Sequence, residues 1–304
     1  MDFRALEMFV AVADNSSFTL AGQQLHVSQS AISRKIRLLE EELGQGLFNR
    51  VGKRICLTEA GNRMLRHARR VFQVLREASL EISEVGDLKR GLLRVGSGMT
   101  ACMYMLPPVL EKFKLRYPDI DVFVTTSTTE VLVEELRNGR IDLGLLTLPV
   151  NAPGLESVPV TTEELVVVVS PKHPGLSRRR FITVSELAHS RLILHDRSTS
   201  VRSLVDRFFQ EAGINPQIVM EAETVATIKP LVQINLGMSI LPLCAVEAEA
   251  RRGELAYLRI RDYKLTRPIG VVFQRSEHQP RLLSELIALF QSSEAAKNSY
   301  IRVR

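Results

Sequence analysis

The chain has 304 residues, 45% hydrophobic and 24% charged, with 40 basic against 34 acidic side chains and a formal net charge of +6. That length exceeds one simple core, so two or three globular domains are expected. No apolar run approaches the about 20 residues that span a bilayer. With Asp2 and Glu7 around a short apolar start no leader is expected, and Cys56, Cys102 and Cys244 are too scattered for a disulfide framework. A protein of the reducing cytoplasm, without membrane contact, is expected.

In chain order, Leu6, Phe9, Val10 and Ala13 form the first helical stripe. Ser17–Leu43 then reads as two helices around a tight turn. Ser17 can cap the first helix, Ala21 and Leu25 supply its apolar face, His26 and Val27 close it, and Ser28 caps the second. Ile32, Ile36, Leu39 and Leu43 recur at intervals of four, three and four residues, a stripe that must be buried. Gln29, Ser30, Ser33, Arg34 and Arg37 project from another face and can donate to base edges and phosphates, as a helix in a major groove does. Arg34 suits a bidentate guanine contact and Arg37 a phosphate; Ser17 and Thr19 join the expected DNA-contacting set. A plain helical hairpin with a solvated face would give part of this pattern.

Leu47–Arg50 and Ile55–Leu57 bracket Val51-Gly52-Lys53-Arg54, two short apolar strands around a glycine turn, hence a wing. Arg50, Lys53 and Arg54 at its tip are placed to touch phosphates. Between Arg50 and Arg70 seven basic residues (Arg50, Lys53, Arg54, Arg63, Arg66, Arg69, Arg70) face one acid, Glu59, a local charge that fits a polyanion. Thr58 caps a long helix to about Val85. Met64, Ala68, Val71, Leu75, Ala78, Ile82 and Val85 alternate four and three apart along it, a narrow seam that asks for a partner helix and thus a dimer.

Gly86–Gly91 is a hinge into a different composition, in which short apolar strands alternate with helices, the signature of a parallel sheet. Strands are expected at 92–97, 120–126, 141–146, 165–170, 192–195, 217–221, 238–241, 256–260 and 268–274. Helices are expected near 102–116, 129–138, 200–212, 224–235, 242–252 and 279–292.

Several stretches resemble the LysR-type transcriptional regulators. From Met1 to about residue 65 these are the S-F-T-L-A start, L-H-V-S-Q-S-A-I-S-R, the L-E-E-E-L-G exit, L-F-N-R and L-T-E-A-G; Gly22 stands where the family usually has alanine. Later, Leu165–Pro171 and Gly237–Pro242 match family stretches that flank a cleft, with Ser239 in place of a second glycine. The resemblance implies an α/β protein of three parts. A winged helix-turn-helix occupies 1–58, a linker (dimerisation) helix 59–87, and a two-lobed effector domain of periplasmic-binding-protein type 88–304. Its lobe I would comprise 91–162 and 266–304, and lobe II 163–265. It also implies a homotetramer, a dimer of dimers that grips and bends operator or promoter DNA, with RNA polymerase a further candidate partner and lobe closure set by an effector.

Where an α/β sheet binds a ligand, it does so at the carboxyl ends of strands. Ser97, Met99 and Thr100 sit where the first strand hands over to a helix; Thr126 and Ser127 end the second strand and Thr147 the third. Thr199 and Ser200 open a helix of the other lobe, and Arg202 one turn on can add a charge. Hydroxyls beside helix N-termini favour an anion, so a small carboxylate or phosphate ester is the expected effector, although caps and turns use the same residue types. No cofactor and no metal set is expected, the histidines lacking ligand spacing.

Two alternatives stand beside the regulator. Gly96-Ser97-Gly98-Met99-Thr100-Ala101 fits a dinucleotide pattern, as in an α/β enzyme with a fused helix-turn-helix. Yet Asp119 and Asp121 lie at the wrong end of the next strand to hold a ribose. Cys102 near the expected pocket suggests a thiol-redox regulator, but no resolving cysteine is close in sequence. The balance favours a ligand-responsive DNA-binding regulator over an enzyme.

Overall fold

The structure, a computed structural model, describes residues 1–51, 54–85, 91–275 and 281–292 in two compact units, the first ending at Val85. In that unit α1 (Phe3–Asn15), α2 (Phe18–Leu25) and α3 (Gln29–Leu43) are followed by the hairpin β1 (Phe48–Val51) and β2 (Arg54–Leu57), then by α4 (Glu59–Val85). Each start has its cap. Asp2 accepts from Ala5 N, Ser17 from Leu20 N, Ser28 from Ala31 N and Thr58 from Gly61 N. The core gathers Phe9, Val12, Ala21, Ile32, Ile36, Leu39 and Leu47, with Phe48 5.3 Å from Phe9 and 5.7 Å from Phe18 ring to ring.

Two glycines carry close approaches here. A Cβ on Gly61 would sit 2.1 Å from the Leu47 carbonyl oxygen, so the first turn of α4 can lie against the wing only with glycine there. A Cβ on Gly22 would sit 2.7 Å from the Val27 carbonyl oxygen, so a residue that looks like a mere helix weakener permits the tight turn.

Three expectations for this unit need correction. Leu43 ends the α3 stripe exposed, because Gly44 in the left-handed region terminates the helix there. Ala68 is 1% exposed and Met64 half-buried, both packed in the unit's own core, so the start of the supposed seam is spent within the chain. Val71 and Leu75, the latter 42% exposed, remain on the surface and Ala78 is half-buried. Arg69 is buried against Asp14 and Arg63 pairs with Glu59 at 2.7 Å, which removes two charges from the basic run; Arg66 and Arg70 stay exposed. Lys53 and the side chains of Arg50, Arg54 and Ile82 lie outside the described residues.

The second unit runs β3 (Gly91–Ser97), α5 (Met99–Tyr104), α6 (Leu106–Arg116), β4 (Ile120–Thr126), α7 (Thr129–Arg137), β5 (Leu143–Thr147) and β6 (Leu155–Val169). It continues through β7 (Phe181–Ile182), α8 (Val184–Ala188), β8 (Arg191–His195), α9 (Ser200–Glu211), β9 (Gln217–Ala222), α10 (Val225–Gln233) and β10 (Ser239–Pro242). After a short turn of 3₁₀ helix, α11 (Glu247–Arg251), β11 (Ala256–Ile260), β12 (Thr266–Gln274) and α12 (Arg281–Ser292) complete it. The one helix expected over 102–116 is two, because Pro107 and Pro108 suit a helix start and not an interior.

The main sheet has the order β4-β3-β5-β12-β6-β11-β7, with β10 also on β6, and a second pair joins β8 to β9. It is mixed rather than parallel: β3 is parallel to β4 and β5, whereas β6 is antiparallel to β12, β10 and β11. Strand β6 serves both lobes. Leu155–Glu164 pairs with β12, and Leu165–Val169, wholly buried, pairs with β10 and β11. Its first half carries Pro159, and a bulge that leaves Val160 out of register accommodates it opposite Gly270.

Candidate DNA-reading face and effector cleft

In α3 the capping serine starts the helix at Gln29, so its first turn carries Gln29 and Ser30 exposed, with Arg34 and Arg37 exposed further along and Ser33 half-buried. Ser28 and Ser30 hydroxyls lie 3.1 Å apart, and Arg37 pairs with Glu41 at 3.0 Å. Arg34 has no carboxylate partner among the described residues. Lys35, half-buried and not singled out in the sequence, reaches Asp2, the cap of α1, at 2.6 Å on the surface. Glu40 is the other missed residue. Its carboxylate accepts from Leu47 N at 2.6 Å and Phe48 N at 3.2 Å, which fastens the wing to the end of α3. Ser17 is half-buried and spends an acceptor on its cap, while Thr19 is exposed.

The second unit encloses a cavity of about 330 Å³ between its lobes. Met99, Thr100, Thr126, Ser127, Thr147, Thr199 and Ser200 line it, as the strand ends suggested. Three helices of eight residues or more begin on its wall: α7 at Thr129, α9 at Ser200 and α10 just after Thr224. Thr100, Thr126, Ser127 and Thr128 keep their hydroxyls free of any described partner. Thr199 does not, since it accepts from Arg202 N at 3.2 Å and donates to the Asp196 carbonyl at 3.0 Å.

Two expected residues are elsewhere. Ser97 is fully buried behind the wall, its hydroxyl donating to the Leu145 carbonyl at 3.3 Å, because β3 pairs with β5 at that register. Arg202 is 2% exposed and lies inside lobe II, where it donates to Asp206 and Glu221, each at 2.8 Å, and to the His195 carbonyl at 2.7 Å. Its charge is consumed there.

The cavity's cation is Arg267, from β12, 5% exposed. Its Nε meets Glu163 behind the wall, and its Nη1 donates to Ser200 at 3.1 Å and reaches Thr147 at 3.4 Å. Thr147 and Ser200 also hydrogen-bond each other at 3.1 Å, so three side chains join the strands of lobe I to the first turn of α9 in lobe II. A second cross-lobe link sits outside the cavity: Lys229, held by Glu249, donates to the Tyr104 hydroxyl at 3.0 Å. Cys244 completes the Arg267 cluster by donating to Glu163 at 3.0 Å. Arg267 was legible only as a sheet residue, its partners lying 67 to 120 positions away.

His195, at the end of β8, also lines the cavity and is 4% exposed. Burial pushes its ring down to about 4, the Glu223 backbone opposes the shift, and Arg267 adds to it. Burial and the neighbouring Glu163 carboxylate push the Cys244 thiol up, and burial pushes that of Cys102 up, which disfavours the reactive thiolate at both. A Cβ on Gly96 would meet Ile141 at 2.4 Å, so that glycine serves strand packing rather than a dinucleotide turn.

A winged helix-turn-helix joined to a two-lobed cleft domain defines a ligand-responsive DNA-binding regulator. Residues 3–62 match the bacterial regulatory helix-turn-helix model of the lysR family and residues 86–295 the LysR substrate binding domain, and the chain belongs to the LysR family. It is 31% identical to the RuBisCO operon transcriptional regulator of Allochromatium vinosum over 300 residues, which cover 98% of this chain and 97% of that one. It is 32% identical over 285 residues to a probable hydrogen peroxide-inducible genes activator of Mycobacterium avium, covering 93% and 91%. Full-length CbnR complexed with its target DNA superposes with a TM-score of 0.66 at 29% identity, covering 98% of this chain and all of that one. The chain is thus a LysR-type transcriptional regulator with an effector-binding domain, not an enzyme. No described helix is long and apolar enough to cross a membrane.

Proposed function

We propose that this cytoplasmic regulator reads its operator with Gln29, Ser30, Ser33 and Arg34 in the major groove, with Arg37, Arg50, Lys53 and Arg54 on phosphates. Two copies join through the later, exposed part of α4, from Val71 and Leu75 onward, and pair again as a dimer of dimers. The effector is a small organic anion, a carboxylate or phosphate ester, seated between the lobes. One observation carries this reading: three helix N-termini, four free hydroxyls and Arg267 converge on one cavity. Such an anion competes for the donors that link Thr147, Ser200 and Arg267, so its binding alters how the lobes are joined and biases one assembly geometry over another. Contact with RNA polymerase belongs to the same proposal.

The test is a thermal-shift screen of organic anions, amines and apolar metabolites on the full chain, repeated with Thr100→Val and Ser200→Ala. A carboxylate or phosphate ester is expected to raise the melting temperature, and both substitutions to reduce the shift. A cationic or wholly apolar effector, or one indifferent to both substitutions, contradicts the reading.

A further inference from the structure

Lobe II has a charged edge unlike the rest of its domain. Residues 91–304 carry 26 basic and 23 acidic side chains, and six of the basic ones with a single acid, Asp262, lie in 178–180 and 259–264. The remainder of the domain is therefore acidic. The fold brings the two stretches together. Strand β7 ends the main sheet beside β11, Arg259 N donates to the Arg180 carbonyl at 3.0 Å, and Arg261 N donates to the Ile182 carbonyl at 2.8 Å. Strands so paired lie about 4.8 Å apart, close enough for the side chains of both stretches to form one surface.

Two of the six cations are spent on the fold. Arg179 pairs with Glu186 at 2.6 Å and Arg259 with Glu164 at 2.7 Å. Arg178, Arg180, Arg261 and Lys264 are exposed and have no carboxylate partner among the described residues. Protection of a sheet edge does not call for them, because β7 is only two residues long and all four lie outside the strands. Phe181, 45% exposed, and Tyr263, 41% exposed, stand among them, so the edge offers apolar area as well as charge. Crowded cations repel one another, and a polyanion relieves that repulsion while releasing its own counterions.

We propose that this edge of lobe II is a second DNA-contacting surface, one that holds the phosphate backbone of duplex DNA without reading bases. Duplex DNA is the partner because the chain's helix-turn-helix family already brings it to the protein, and because guanidinium forks match phosphate oxygens. Such contacts add affinity and fix position, and they carry no sequence preference.

The test is fluorescence anisotropy of the full chain on a mixed-sequence duplex of about 40 base pairs, titrated at salt concentrations from about 50 to 200 mM. The double variant Arg180→Gln with Arg261→Gln is compared with Lys112→Gln with Arg281→Gln, which removes the same charge from exposed positions of lobe I. The lobe II variant is expected to bind about tenfold more weakly at low salt, with a logarithmic salt slope shallower by about 2, one contact for each arginine. The lobe I variant is expected to stay within about twofold of the wild type with its slope unchanged. Arg180→Lys with Arg261→Lys, which keeps the charge, is expected to retain most of the affinity. Equal losses in the two glutamine variants would reflect net charge rather than contact and overturn the proposal. A lobe II variant that binds DNA like the wild type also overturns it, and a weaker reporter transcript from that variant would then assign the edge to a protein partner.

Discussion

The reading helix and the effector cleft each set an arginine among small hydroxyl side chains and treat its charge in opposite ways. Arg34 stands exposed beside Ser30 and Ser33 with no described carboxylate partner, its charge carried by water until a polyanion arrives. Arg267 stands almost fully enclosed beside Thr147 and Ser200, its charge balanced by Glu163 behind the wall. A surface cation costs little to keep uncompensated, whereas an enclosed one requires its counter-ion inside the fold. The site that waits for DNA can therefore be written in one short helix. The site that waits for a small ligand has to be assembled from distant strands.

The difference can be broken most severely at Glu163. Glu163→Ala leaves Arg267 enclosed without its carboxylate and removes the acceptor of the Cys244 thiol; a loss of about 3–5 kcal/mol in a denaturant titration is expected. A loss below about 1 kcal/mol would mean that Arg267 reaches water and that the contrast with Arg34 is false. Next in size is the helix that ends the reading unit. Leu75→Asp puts a charge into the exposed part of α4 that the proposed dimer covers, and loss of an association step in sedimentation is expected, at a cost of several kcal/mol. An unchanged assembly at micromolar concentration would contradict that use of α4.

Arg34→Ala is expected to weaken operator binding by about 1–3 kcal/mol and to relax the base preference at one position per half-site, read by selection from random DNA. It should leave stability nearly untouched, since nothing in the fold leans on an exposed cation, in contrast to Glu163→Ala.

A pH dependence of stability follows from the buried imidazole of His195. The His195 ring titrates about 4 in the fold against 6.5 in the unfolded chain, so as pH falls from 6.5 toward 4 the unfolded state takes up a proton that the folded state refuses. Stability is lost across that window and levels off below it. His195→Gln is expected to remove this component. The loss tied to Glu186, held down to about 2 mainly by Arg179, falls in the separate window from 4.5 to 2.

The same contrast explains what the sequence revealed. In the reading unit caps, stripe and exposed donors lie within one helix or its neighbour, so Ser17, Ser28, Ile32, Ile36 and Leu39 were legible from spacing alone. The cleft was legible as far as it is built from strand ends and helix starts, which Thr100, Thr126, Ser127, Thr147 and Ser200 mark. Its charges were not. Arg202 and Arg267 look alike in sequence, and their fates depend on partners brought in by β9 for one and by β6 for the other. The α4 seam misled for a related reason. A stripe two residues wide per heptad does not say which of its turns the chain's own core has already used, and Ala68 belongs to that core.

The central claim is that an anion in the cleft changes the grip of the reading heads on DNA. The most direct measurement is fluorescence anisotropy of a selected operator fragment with the full chain, titrated with an anion that raises its melting temperature. Operator affinity or stoichiometry is expected to shift several-fold on adding the anion, with Ser200→Ala blunting the response. A saturating anion that leaves operator binding unchanged, or one whose effect is identical in Ser200→Ala, would contradict the account.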